Sequence, residues 1–115
     1  MTVKEIYEAL DESYEEVYSR LDNDEWIAKY LKKFKDGDYK MIMNRALNEG
    51  DWVEGFKMAH SIKGLALNLG LSRLAKCSVD LSDALRDGAP KIDITGMLLS
   101  LNHEYDRVIE EISKL

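Results

Sequence analysis

"DWVEGFKMAHSIKGLALNLG", residues 51–70, is the stretch that decides how this chain folds. Asp51 is a natural N-cap, Gly70 a natural residue just past a helix end, and nothing between them breaks a helix. Turning about 100° per residue from His60, the residues Ala59, Ile62, Ala66 and Leu69 gather roughly 180–260° away. That arc is a core stripe, so the helix must pack against others. His60 points the opposite way, toward solvent. Lys63 and Gly64, three and four residues on, share its side. Val53, Phe56 and Leu67 also fall within roughly 40° of it.

Helical spacing extends outward from this segment in both directions, and no alternating strand pattern appears. Thr2 with Glu5 forms a capping-box signature, and Ile6, Leu10, Val17 and Leu21 carry a helix to about residue 21. A second start at Asn23 or Asp24 leads into Trp26, Ile27, Tyr30, Leu31 and Phe34, with Asp36-Gly37 ending or bending it. Met41, Ile42, Arg45 and Leu47 follow before Gly50. Beyond Gly70, Ser72 is read as the cap of a helix bearing Leu74, Val79, Leu81 and Leu85, closed by Gly88 and Pro90. Asp93 or Thr95 starts a last helix with Met97, Leu98, Leu101, Tyr105, Val108, Ile109, Ile112 and Leu115. Short loops between long helices imply antiparallel neighbours. The expectation is an all-α fold: an antiparallel up-down four-helix bundle with an additional N-terminal helix, residues 1–115 forming a single domain. Trp26, Tyr30, Phe34, Met41 and Met43 read as core and helix-packing residues.

Composition narrows the function. With a formal net charge of -6 and a pI near 4.9, the chain has no basic face to neutralise phosphates, which argues against nucleic acid. The "LKKFK" cluster reads as a solvated helix face. Cys77 is alone, so neither an intramolecular disulfide nor a thiolate zinc site can be built. No stretch approaches the roughly 20 apolar residues of a membrane span, and the start lacks a signal-peptide run. A cytoplasmic monomer is expected. His103-Glu104 is the only other histidine context and lacks an i, i+4 partner, so no metal centre is expected. There is no GxxxxGK[ST], no GxGxxG and no Ser-His-Asp arrangement.

The His60 face therefore carries the functional argument. A neutral imidazole is a nitrogen nucleophile. Lys63 adds a point charge suited to phosphoryl oxygens. Gly64 in mid-helix costs about 1 kcal/mol relative to alanine, which suggests that space is wanted one turn from the ring. Val53, Phe56 and Leu67 make the surroundings apolar where a solvated face should be polar, as a docking patch would be. A mid-helix glycine also serves close helix crossings, and the apolar residues could be core if the bundle wraps that side. Spacing by itself leaves both open.

The motif resembles that of histidine-containing phosphotransfer domains of two-component phosphorelays, which carry H-x-x-K-G in a helix. Here it is His60-Ser61-Ile62-Lys63-Gly64, followed by "LALNLG", preceded by "EGDW" and followed later by "LSRLAKCSVDLSDALRDG". The likeness spans Leu47 to Gly88, and helix number and length agree over the whole chain. It implies a four-helix bundle with His60 as the phosphorylation site, Lys63 as the phosphate-neighbouring cation and Gly64 as the clearance position. It further implies a response-regulator receiver domain as partner, with a hybrid histidine kinase as another candidate. No cofactor, ATP or resident metal is implied, the magnesium ion belonging to the receiver. Val53, Phe56, Lys57 and Leu67 would form the partner-binding patch. Two departures stand out: Leu65 and Leu67 replace the usual small residues, and Ser82 stands where an acidic residue often follows the leucine, with Asp83 next. A different class remains in view, a helical adaptor that binds through the same face and carries no phosphate.

Overall fold

In the computed structural model, which describes residues 1–115, the chain forms seven α-helices and no strand. The first, α1 (Val3–Ala9), opens on the reciprocal cap read from the sequence. The Thr2 hydroxyl accepts from the Glu5 amide while the Glu5 carboxylate accepts from the Thr2 amide. The Thr2 amide, above all, holds the Glu5 carboxyl below its ordinary range.

This helix does not continue to residue 21. Leu10 ends it, Asp11 takes a left-handed backbone with φ of 56°, and α2 (Tyr14–Leu21) starts afresh on Ser13. The Ser13 hydroxyl accepts from the Glu16 amide, so Ser13 and Glu16 form a second S-x-x-E start signal. That local signal wins over the uninterrupted apolar spacing of Leu10, Val17 and Leu21. The N-terminal addition is thus divided into three short pieces, completed by α3 (Asp24–Asp36), whose cap Asn23 accepts from two amides.

Trp26 and Met41 correct the sequence reading. They are 48% and 52% exposed, because Ile27, Leu31 and Phe34 fill the core side of α3 while Met43 and Leu47 fill that of the next helix. Trp26 stacks on Tyr30, with the Lys29 ammonium 5.0 Å from its ring centre.

The remaining helices, α4 (Tyr39–Asn48), α5 (Trp52–Asn68), α6 (Ser72–Leu85) and α7 (Thr95–Ile112), make the bundle. Lys40 pairs with Asp106 at 2.6 Å, and one turn on Asn44 and Asn102 exchange amide hydrogen bonds of 3.0 and 3.1 Å. Residue numbers rise in α4 as they fall in α7, so the two run antiparallel. Phe56 near the start of α5 likewise meets Arg86 just past the end of α6. Gly50, between α4 and α5, and Gly70, between α5 and α6, turn the chain with φ of 73° and 69°. At Gly55 α5 lies close against α4: a Cβ there would be 2.5 Å from Leu47 Cδ2.

One helix start differs in detail from expectation, that of α6, whereas α7 begins at Thr95 as read. Ser72 is the first residue of α6 rather than its cap, and its hydroxyl donates to Glu12. Glu12, released by the break after α1, also accepts from the Arg73 amide and so places a carboxylate at the positive end of α6. At α7, Asp93 accepts from both the hydroxyl and the amide of Thr95, which lowers its pKa. Buried residues from all seven helices join one apolar cluster, so α1–α3 share the core of the bundle. No helix is long and apolar enough to cross a membrane.

Candidate functional site on the outer face of α5

Asp51 accepts from the Glu54 amide and starts α5 where the sequence reading puts it. The predicted stripe is buried: Ala59, Ile62 and Ala66 are fully enclosed, as is Leu69 just beyond the helix end. Burial of these four fixes the rotation of the helix, and with it the opposite face. His60 and Gly64 are exposed there and Lys63 is half-buried. Val53 and Leu67 are 66% and 55% exposed, Lys57 is exposed, and Phe56 is half-buried. The bundle leaves Val53 and Leu67 on the surface, while Phe56 is half-buried and packs against the core cluster.

Gly64 settles the other open point. A Cβ built on it meets nothing within 4 Å, so no helix crossing explains the missing side chain. The crossing role belongs to Gly55 instead. What Gly64 leaves is open space one turn beyond the imidazole.

His60 is held from one side only. Its ring stacks on Phe56 with centroids 5.7 Å apart and planes 20° off parallel. The Arg86 guanidinium lies 5.7 Å from the Phe56 ring centre and is paired with Asp83 at 2.8 Å. This places α6 at the edge of the site and orders the imidazole through an aromatic platform. Lys63 enters none of the ion pairs, so its ammonium is available to an incoming anion. Ser82 is fully buried and donates to the Val79 carbonyl, whereas Asp83 is outward. An acid at position 82 would face the core here, and Asp83 carries the charge at the rim.

All the expected site residues thus lie on one face, and the structure adds Arg86, which the sequence reading missed. Arg86 is 26 positions from His60, beyond the reach of helical periodicity; only the antiparallel register of α5 and α6 brings it near Phe56. No cluster of three or more His, Cys, Asp or Glu side chains is placed to hold a metal ion. The surface hollow of about 500 Å³ lined by Lys40, Asn44, Asn102 and Tyr105 includes no residue of α5. The His60 face is the outward side of α5, with Val53, Lys57, His60, Gly64 and Leu67 exposed along it.

The family model for the Hpt domain matches residues 38–112, which is the four-helix unit from the approach to α4 to the end of α7. The chain therefore belongs to the Hpt domain family, whose members serve histidine phosphotransfer in two-component systems and interact there with receiver domains and kinases. No match was found among curated proteins or solved structures.

Proposed function

We propose that this protein, acting over residues 1–115 as one cytoplasmic, monomeric unit, carries a phosphoryl group on His60 between receiver-domain aspartates. The neutral imidazole attacks the phosphorus of an aspartyl phosphate; the N–P bond forms as the P–O bond breaks, and the carboxylate of the receiver leaves. Reversal onto another aspartate frees the ring. Lys63 lies beside the phosphoryl oxygens, Gly64 leaves them room, and Val53, Phe56, Lys57 and Leu67 form the surface on which the receiver sits. Positioning supplies most of the acceleration, because in-line transfer needs little else from the protein side.

The observation that carries this reading is the empty volume at Gly64 beside an outward imidazole, since a merely structural helix would gain by filling it. The test mixes the protein with a panel of receivers bearing labelled phosphate. Wild type is expected to take up acid-labile, base-stable label and His60→Gln to take up none. Label retained on His60→Gln overturns the assignment. The apolar patch also supports a phosphate-free adaptor, which would instead bind a receiver equally well in both forms with no label on either.

A further inference from the structure

Three consecutive carbonyls end α5, and all three are held by side chains from the N-terminal segment. Arg20 of α2 donates from Nη2 to the Leu67 carbonyl at 3.1 Å and to the Asn68 carbonyl at 2.9 Å. Tyr7 of α1 donates its buried hydroxyl to the Leu69 carbonyl. Neither Asn68 nor Leu69 has a backbone donor of its own, so these side chains are the donors the protein supplies to them. Arg20 is in turn steadied by Glu16 at 2.7 Å, and its charge sits at the negative end of the α5 dipole. Gly70, left-handed and backed by Val17 at 3.5 Å from its Cβ position, lets the chain turn under this contact.

The turn held in this way carries Leu67, the far edge of the apolar face around His60. Both holding residues lie outside residues 38–112, the part that the Hpt family model matches. We propose that Arg20 is a positioning residue for partner docking: it fixes the last turn of α5 so that Leu67 is presented to the receiver in one orientation. The N-terminal helices are then part of the recognition apparatus, although they lie outside the helix that bears the reacting ring. This inference rests on the carrier reading above.

Its test has two arms. In the first, phosphotransfer from a receiver that serves wild type is measured for Arg20→Ala, Leu67→Ala and the double variant. Arg20→Ala is expected to raise the KM for the phosphorylated receiver about fivefold while leaving the rate at saturation unchanged. In the Leu67→Ala background the same change should add less than twofold, because its effect passes through Leu67. Full additivity, or a fall in the saturated rate alone, overturns the proposal. The second arm needs no receiver. Hydrogen exchange at the amides of Leu69, Gly70 and Leu71, which close the last turn onto Leu65, Leu67 and Ala66, should quicken about tenfold in Arg20→Ala while the amides of α6 stay protected. Unchanged exchange overturns the clamp. If no receiver phosphorylates wild type yet exchange quickens, the carrier reading and the docking role fall together while the clamp stands as a structural fact.

Discussion

Replacing Gly64 by alanine separates stability from function, because the structure assigns the two opposite signs. Gly64 is helical, exposed and has no atom within 4 Å of its Cβ position. Alanine there restricts the unfolded chain and meets no obstacle, so the fold should gain about 0.5–1 kcal/mol. For a domain of this length that corresponds to a rise in Tm of roughly 2–6 °C. The methyl group would stand in the space where the phosphoryl oxygens and the receiver must come, so phosphotransfer to His60 should fall by at least about tenfold, or 1.4 kcal/mol in the barrier. The internal control is Gly55→Ala, whose Cβ would lie 2.5 Å from Leu47 Cδ2 and should destabilise by about 1–3 kcal/mol through overpacking. Calorimetry gives the first number and single-turnover transfer the second. A Gly64→Ala protein that melts lower than wild type, or that accepts phosphate at the wild-type rate, refutes the reasoning that the residue is kept for clearance.

Other expectations concern the frame around the site. Tyr7→Phe removes the donor to the Leu69 carbonyl from a fully buried position and should destabilise by about 1–2 kcal/mol, read as a lower urea midpoint at unchanged slope. Gly70→Ala forces a side chain into a left-handed backbone and should destabilise by about 1 kcal/mol or more, measured the same way. Three of the six tyrosines have raised pKa values: burial drives up Tyr7, burial raises Tyr105 to about 12, and donation to Asp24 raises Tyr14 to about 12. A raised value means that the folded form holds its proton longer than the unfolded one, so the associated stability is complete below pH ~10 and is lost as pH rises toward 12 and beyond. Tyrosinate absorbance should therefore still be rising well above the ordinary tyrosine range, with this late part accompanying loss of helix; a titration complete at the ordinary value would contradict the burial and bonding described.

The placement of the candidate site's side chains was legible in the sequence because one helix carries nearly all of them. A period of 3.6 residues is enough to oppose His60 to the Ala59, Ile62, Ala66 stripe, and the structure has that opposition. The role of Gly64 was ambiguous, since a crossing and a clearance look alike until the neighbouring helices are placed. Arg86, Arg20 and Tyr7 escaped notice because their contacts depend on tertiary register, which spacing along one helix does not encode. The break after Leu10 was readable in principle: Ser13 with Glu16 repeats the signal at Thr2 with Glu5, but continuous apolar spacing hid it. Trp26 and Met41 misled in another way, being large apolar side chains on helices whose inner faces were already full.

One imidazole on one outward face also sets a traffic rule. On the proposed reading, donor and acceptor must cover the same Val53, Phe56 and Leu67 surface, so they take turns and never meet on this protein. Each encounter ends before the next begins, and the phosphorylated form must part from one receiver before it meets another. Surplus unphosphorylated receiver then acts as a competitive brake on the arrival of its phosphorylated form, and flux through the relay should peak at an intermediate ratio of the two and decline when either is in large excess.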